Sequence, residues 1–385
     1  MTSGKTILVL GGGIGGVVAA SRLREQLARE HRVILIERET AHLFQPSLLW
    51  LMLGWRRPEQ IQRPLSRLAR HGIEVVQGNV DRIDPVRRAV SVNGRELVGD
   101  YLIVVLGAEL APKTVPGLAE AGHNLYTLAG ATALSAARAR FTHGKLVLLV
   151  SRMPFKCPAA PYEAALLLEY DSRRRGVRDR VSIDVYTPEP GPMPVAGEEV
   201  SRQVRHMVES KNIGYHPGHE VKHVDAQTKT IEFANGATAA FDLLVAVPPH
   251  RAPQVVRDAG LTAESGWVPV DRATLATKHP GVYAIGDVTG IALSIGKPLP
   301  KAGVFAHGEA EVVAHAIAAK IGGRDSAPRY VGNGECFLET GDGRAGLGRG
   351  NFFAEPAPRV RLHAPSRWLH WAKVWYEKYW LYRWF

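Results

Sequence analysis

Apolar residues in this chain fall into short runs, divided by glycine-rich turns and by stretches with helical spacing. Thr6–Leu10 is an apolar run of β type that ends at Gly11-Gly12-Gly13-Ile14-Gly15-Gly16. Val17, Ala20, Leu23 and Leu27 then recur with helical periodicity, and Arg32–Glu37 is the next apolar run. Strand, helix, strand in that order opens a doubly wound parallel sheet. Ile73–Gln77 and Tyr101–Leu106 predict further strands. A second α/β region starts near Pro112. In it, Lys145–Val150 reads as a buried strand, Cys157–Tyr170 as a loop entering a helix, Val181–Tyr186 as a strand and Glu198–Lys211 as a helix. Ile231–Phe233 and Phe241–Val247 close that region. Val282–Ile285 returns to strand, and Lys301–Ile321 predicts a long helix with an alanine-rich face. A glycine-rich strand segment, Gly332–Gly350, leads into an aromatic tail.

The expected fold class is therefore α/β, with two Rossmann-like domains and the second inserted in the first. The expected boundaries are 1–111 and 251–325 for the first domain, 112–250 for the second and 326–385 for a C-terminal membrane-interface region. Two separate α/β domains in series are the alternative layout. The length of 385 residues, with 45% hydrophobic and 22% charged residues, suits a folded chain of more than one domain.

A formal net charge of +11 allows attraction to anions, lipid or nucleic acid. The basic residues are dispersed singly or in short groups such as Arg56-Arg57 and Arg173–Arg175, without a run that would track a phosphate backbone, so no nucleic-acid partner is expected. Two cysteines are too few for a secreted disulfide scaffold. The N-terminus runs directly into a strand and lacks the pattern of a signal peptide. No stretch reaches the roughly 18–20 apolar residues of a spanning helix.

Gly11-x-Gly13-x-x-Gly16 follows a strand and opens a helix. The first glycine permits the tight turn, the second lets the backbone approach a pyrophosphate, and the third lets helix pack on sheet. The helix N-terminus, with Ile14 and Gly15, offers N–H groups to the phosphates. Glu37 ends the second strand where an acid binds a ribose 2′-OH, with Arg38 beside it. This unit alone serves NAD or FAD. Gly281-Val282-Tyr283-Ala284-Ile285-Gly286-Asp287 resembles the second FAD fingerprint of flavoproteins with two dinucleotide-binding domains. Asp100–Ala108, ending in Gly107 and Ala108, resembles their crossover out of the FAD domain, and Asp242–Pro249 the return crossover. The resemblance implies FAD, with Asp287 on its ribityl and pyrophosphate side.

In NAD(P)H-using relatives the strand at Lys145–Val150 would enter another glycine fingerprint. Here it enters Ser151-Arg152-Met153-Pro154-Phe155-Lys156-Cys157-Pro158, where bulky side chains fill the turn and two prolines remove amide donors. This argues against type II NADH dehydrogenases, to which His42-Leu43-Phe44-Gln45-Pro46 is otherwise similar. Cys157-Pro158-Ala159-Ala160-Pro161-Tyr162-Glu163 resembles the first redox-cysteine segment of sulfide:quinone oxidoreductases and of the flavoprotein subunit of flavocytochrome c sulfide dehydrogenase. Cys336, in Gly334-Glu335-Cys336-Phe337-Leu338, stands in the place of their second redox cysteine. The resemblance implies a disulfide over the flavin, attack by hydrosulfide, a persulfide, and electrons passed to FAD. With no third cysteine, FAD is expected to be non-covalent. Lys156 and the following helix N-terminus are candidates for promoting a Cys157 thiolate. Lys301 is a candidate to stabilise reduced flavin, as the similar segment does in the family, and Glu163 a candidate proton acceptor beside Cys157. Inert buried thiols, a solvated lysine and a solvent-facing glutamate are the plain alternatives.

His216, His219 and His223 surround helix-breaking Pro217 and Gly218, and read as a polar turn rather than a metal site. The chain has eight tryptophans; Trp368, Trp371, Trp375, Trp380 and Trp384 crowd its end together with Tyr376, Tyr379, Tyr382 and Phe385. Lys373, Lys378 and Arg383 lie between them. A helix with Trp368, Trp371, Ala372, Trp375, Tyr379 and Tyr382 on one face would lie in a membrane interface, its basic residues on anionic headgroups. Packing of the tail on its own domain, or on a second copy in a homo-oligomer, is the alternative. A peripheral membrane flavoprotein without an NAD site suits a quinone acceptor, with Phe337, Phe352 and Phe353 as candidate pocket aromatics. Cytochrome c is the alternative acceptor. The function expected is oxidation of sulfide with reduction of membrane quinone.

Overall fold

The computed structural model describes residues 4–324 and 328–385. The first lobe contains Thr6–Leu10 (β1), Ile14–Gln26 (α1), Arg32–Glu37 (β2), Glu74–Gln77 (β3) and Tyr101–Val104 (β4). The chain then builds a second lobe from Gly122–Asn124 (β5), Gly144–Val150 (β6), Ala160–Arg174 (α2), Val181–Tyr186 (β7), Gly214–His216 (β8) and Leu243–Val247 (β9). Val282–Ala284 (β10) and Gly303–Ile321 (α3) return to the first lobe. Its sheet has the order β10-β4-β1-β2-β3, and the second has the order β5-β9-β6-β7-β8. Every strand pair in both sheets is parallel.

Parallel strands are covered on both faces, and β1 shows how. Side chains alternate across a strand, so Ile7 and Val9 pack with Val17 and Leu23 of α1 and Val313 and Ile317 of α3. Leu8 and Leu10 face the other way, onto Val90 and Val92 of an antiparallel three-stranded layer. The second lobe repeats the plan. Leu146, Leu148 and Val150 pack on α2, while Val147 and Leu149 pack on Ile231 and Phe233 of another antiparallel layer. The outgoing and returning crossovers run side by side, with Leu110 paired to His250 and Glu109 to Arg251.

The C-terminal region starts with an antiparallel sheet of Asn333–Gly341 (β11), Arg344–Asn351 (β12) and Arg359–Ser366 (β13). The glycine-rich stretch expected as one strand segment is thus a hairpin. Asp342 and Gly343 sit at φ +56° and +62°, the paired positive angles that a two-residue hairpin turn needs. The expected boundary at 325/326 lies outside the described residues. Arg367–Arg383 (α4) is the aromatic helix, and the Ser366 hydroxyl caps it by accepting from the Leu369 amide at 3.2 Å.

Candidate active site

The glycine loop between β1 and α1 forms a cradle that side chains would fill. Gly11 holds φ +115°, and a Cβ there would stand 2.5 Å from the Val105 carbonyl oxygen. A Cβ on Gly16 would lie 1.7 Å from the Gly11 oxygen, and one on Gly15 2.9 Å from Val105 Cγ2. A Cβ on Gly13 would meet nothing within 4 Å, so the loop is open at that point. Ile14 packs against Gly303 at the start of α3, which brings the two helix N-termini together. Glu37 accepts the Gly12 amide at 2.5 Å and the Glu39 amide at 3.0 Å. Arg38 is exposed and lies 3.4 Å from Glu39. Gly107 turns at φ +69° with open space at its Cα, and Ala108 follows it half-buried.

Across the loop, Gly286 turns at φ +72° and donates its amide to Glu309 at 2.6 Å. Asp287 Oδ1 is buried without a hydrogen-bond partner. Burial raises the Asp287 carboxyl above its usual range, and the charges of Lys156 and Lys301 oppose that rise. A buried acceptor without a donor, lining a small cavity with Thr289 and Lys301, fits a ligand with hydroxyl groups such as the ribityl chain of FAD. Lys301 is 4% exposed, and its ammonium donates to the Asp287 and Thr289 carbonyls at 2.9 Å each. The same ammonium lies 3.3 Å from the centre of the Trp267 ring. Burial brings its pKa down to about 8. Lys301 is therefore no solvated surface lysine; its ammonium braces the turn that carries Asp287.

Cys157 and Cys336 are far apart in sequence and line the same apolar cavity of about 300 Å³. Both are free thiols. Cys157 takes φ +50°, in the left-handed region that non-glycine residues rarely adopt. Its amide donates to the Lys301 carbonyl at 2.6 Å, and its carbonyl accepts from Ala160 at 2.8 Å. Cys336 sits opposite Gly348 in the β11–β12 hairpin, where the absent side chain leaves room. Cys336 Sγ donates to the Phe337 carbonyl at 3.4 Å. The Cys336 thiol beside Cys157, then burial and charge from Cys336 and Glu163, push the Cys157 thiol well up. Lys373 opposes that shift. The sequence pointed to Lys156 as the cation favouring a thiolate. Lys156 is instead buried, its ammonium 5.6 Å from the Tyr126 ring, and its own pKa is lowered by burial. Its charge still couples to Cys157, and the aromatic tail adds a second cation, Lys373, beside that thiol.

Glu163 does not face solvent. It is 2% exposed and accepts from the Glu339 amide and from Lys373 Nζ, each at 2.9 Å. Glu339, 1% exposed, lies 3.0 Å from His370 Nδ1. Helix α4 thus sends Lys373 and His370 inward to carboxylates beside the cysteines. Lys373 was expected on lipid headgroups; it is buried because two buried carboxylates surround it.

In the second lobe a buried carboxylate is bonded at the corresponding turn. Tyr162, in the first turn of α2, donates to Glu189 at 2.5 Å, and the Thr187 hydroxyl donates to the same carboxylate oxygen at 3.2 Å. Glu189 follows β7, at the point where a ribose-binding acid ends the second strand of a dinucleotide fold. Here it is 1% exposed and already bonded.

His216 lies 2.8 Å from Asp184 and stacks on Tyr186. No cluster able to hold a metal occurs among the described residues. Phe352 lines the cysteine cavity, whereas Phe353 packs on Tyr330. Trp368, Trp371, Trp375 and Tyr382 are 78%, 63%, 66% and 86% exposed, while Trp380, Leu381 and Trp384 on the other face are buried. Helix α4 is therefore packed on its own body and aromatic toward solvent at once. Among the described residues no helix is long and apolar enough to cross a membrane.

A family model described as pyridine nucleotide-disulphide oxidoreductase matches residues 5–319. Sulfide-quinone reductase of Aquifex aeolicus (strain VF5) is 29% identical over 407 residues, covering 98% of this chain and 91% of that protein. Mitochondrial sulfide:quinone oxidoreductase of Mus musculus is 25% identical over 367 residues, covering 91% of this chain and 79% of that one. The X-ray structure of the Aquifex aeolicus sulfide:quinone oxidoreductase superposes with a TM-score of 0.89 at 27% identity, over 99% of this chain and 91% of that chain.

Proposed function

Since the chain belongs to the pyridine nucleotide-disulphide oxidoreductase family and is a flavoenzyme of the sulfide:quinone oxidoreductase type, we propose that it oxidises sulfide to persulfide or polysulfide sulfur through Cys157 and Cys336, with electrons passed by non-covalent FAD to a membrane quinone. The observation that carries this reading is the meeting of the two cysteines on one apolar cavity beside the Asp287–Lys301 turn. Glycine loop, Glu37, Gly107–Ala108 and Asp287 are the residues that would hold FAD. When bound, FAD takes the two electrons of each sulfide and hands them to quinone.

The residues divide the rest of the work. With the pair joined as a disulfide, hydrosulfide attacks one sulfur, the S–S bond breaks, and a persulfide and a thiolate result. Cys157, on its left-handed turn, lines the cavity together with Cys336, and Gly348 leaves space opposite Cys336. Lys373 lends positive charge where the thiolate forms, and Glu163 beside it accepts a proton. Apolar walls keep water from the sulfur intermediate. Domain organisation follows the same logic: residues 1–111 with 251–325 would hold FAD, 112–250 would carry Cys157, and 326–385 would carry Cys336 and the membrane face. The exposed tryptophans of α4 suit a peripheral seat on a bilayer, where the quinone resides.

Anaerobic titration tests this. Sulfide bleaches the flavin band, a soluble quinone restores it, and NADH does neither. Bleaching by NADH but not by sulfide overturns the reading. Cys157→Ser and Cys336→Ser each abolish the sulfide-driven bleach; an unchanged rate in both assigns the thiols no part in it.

A further inference from the structure

His42 was singled out in the sequence only as part of a segment shared with other flavoproteins, yet its side chain joins the C-terminal helix to the glycine loop. It is 1% exposed. Nδ1 lies 2.9 Å from the Gly12 carbonyl oxygen, and Nε2 lies 3.2 Å from Trp380 Nε1. These two contacts fix the ring's protonation. An indole N–H can only donate, so His42 Nε2 must be the bare acceptor. A carbonyl can only accept, so Nδ1 must carry the proton. Both neighbours demand one neutral tautomer, and burial agrees by lowering the His42 pKa to about 4.

The consequence falls on the Gly12–Gly13 peptide. A trans peptide points its C=O and N–H in opposite directions. With the Gly12 carbonyl drawn inward to His42, the Gly13 N–H is turned to the far side of the peptide. The space around Gly13 is open, whereas a Cβ on Gly12 would stand 2.9 Å from Glu37 Cγ and 3.0 Å from Leu65 Cδ1. The Gly12 amide is already bonded to Glu37. The loop is thus held from both ends of Gly12. Trp380 is itself fixed, at 1% exposure, because Glu377 one turn earlier accepts from Ser47 at 2.6 Å and from Arg56 at 2.9 Å.

We propose that Trp380, acting through His42, is a positioning residue for the phosphate-binding loop. Its indole, together with the Gly12 carbonyl, holds His42 in the Nδ1–H form, and that form holds the Gly12–Gly13 peptide in the orientation that receives the FAD pyrophosphate. The proposal rests on the FAD reading above. It makes cofactor retention depend on a residue in the same helix whose opposite face carries the exposed tryptophans.

The test uses the full chain. Trp380→Phe keeps the ring and deletes the donor. In protein labelled with 15N-histidine, the resonances lost in His42→Gln identify His42. They show Nδ1–H in the parent; in Trp380→Phe, where only the Gly12 carbonyl still favours that form, the bare Nε2 resonance moves as its donor is lost and Nε2–H becomes partly populated. Apoprotein of Trp380→Phe binds FAD about three- to tenfold more weakly, the worth of one net hydrogen bond. On a His42→Ala background the same substitution adds nothing, because its route is gone. Trp375→Phe, on the exposed face, leaves FAD affinity unchanged. An unaltered His42 spectrum in Trp380→Phe overturns the proposal. So does an equal loss of affinity with and without His42, which assigns Trp380 a packing role alone. If no variant or parent binds FAD, the FAD reading fails; the His42 spectrum reports on the tautomer independently.

Discussion

Lys373 Nζ stands 2.9 Å from Glu163 Oε1, and both side chains are buried. The pair joins the aromatic helix to the helix that follows Cys157. Glu339 approaches the same ammonium at 4.0 Å, so one buried cation serves two buried carboxylates. Burial alone would lower the Lys373 pKa; Glu163 and Glu339 outweigh it and leave it raised.

Removing only the cation therefore strands Glu163 and leaves Glu339 with His370 alone. Lys373→Met should destabilise the protein by about 3–5 kcal/mol, the range for breaking a buried ion pair from one side. The double variant Lys373→Met/Glu163→Gln should regain most of that loss, because neither buried charge remains uncompensated at that position. Urea unfolding of the parent, both single variants and the double variant measures the coupling. Additive losses would mean that the two residues act independently.

The core strands were legible in the sequence because parallel strands buried on both faces read as unbroken apolar runs: Thr6–Leu10 and Arg32–Glu37 kept their bounds. The lack of a second glycine fingerprint was legible too, in Ser151–Pro158. What replaces it was not, because Tyr162 and Glu189 meet only once α2 and β7 are packed. Lys373 was misplaced for a related reason. Helical spacing gave the exposed face of Trp368, Trp371, Trp375 and Tyr382 correctly, but basic residues in an aromatic helix look like headgroup ligands until a buried carboxylate appears opposite. Nothing local to His42 or Glu309 pointed to these contacts. Their partners, Trp380 and Gly286, lie on elements that only the fold brings near.

Glu309 is 1% exposed and accepts the Gly286 amide, next to the Asp287 turn. Burial raises its pKa to about 7. The folded state thus favours the protonated acid. Its contribution is fully present below the ordinary glutamate pKa and is lost as pH rises through about 7. Glu309→Gln keeps an acceptor for Gly286 and cannot ionise. Its melting temperature relative to the parent should therefore climb between pH 5 and pH 8, by up to about 3 kcal/mol in stability. A difference that stays flat across this range would show that Glu309 does not titrate there.

Trp368, Trp371, Trp375 and Tyr382 stand clear of the body, so they can be changed without opening the core. Replacing all four by serine should leave the thermal midpoint within a few degrees of the parent. Binding to liposomes should fall at least about tenfold, since several interfacial aromatics are lost together. Co-sedimentation with vesicles, with and without anionic lipid, measures it. Undiminished binding would move the membrane contact away from α4. Because Lys373 is buried, Lys373→Met should not alter the dependence on anionic lipid.

The cysteine pair predicts opposite shifts from two neighbours. In the reduced protein the Cys157 thiol is pushed above the ordinary cysteine range, first by the neighbouring Cys336 thiol, then by burial, then by charge from Cys336 and Glu163. Lys373 pulls the other way. Cys336→Ala should therefore bring the alkylation midpoint of Cys157 down, and Lys373→Met should move it further up. The stability of the reduced protein carries the same sign. A raised thiol pKa favours the folded state fully below the unfolded value of about 8.5, and that advantage is lost as pH rises through the folded one. Iodoacetamide labelling at Cys157, followed by mass spectrometry from pH 7 to 10.5, reads all three proteins directly. A common midpoint in all of them would separate Cys157 from both neighbours and leave it an isolated buried thiol.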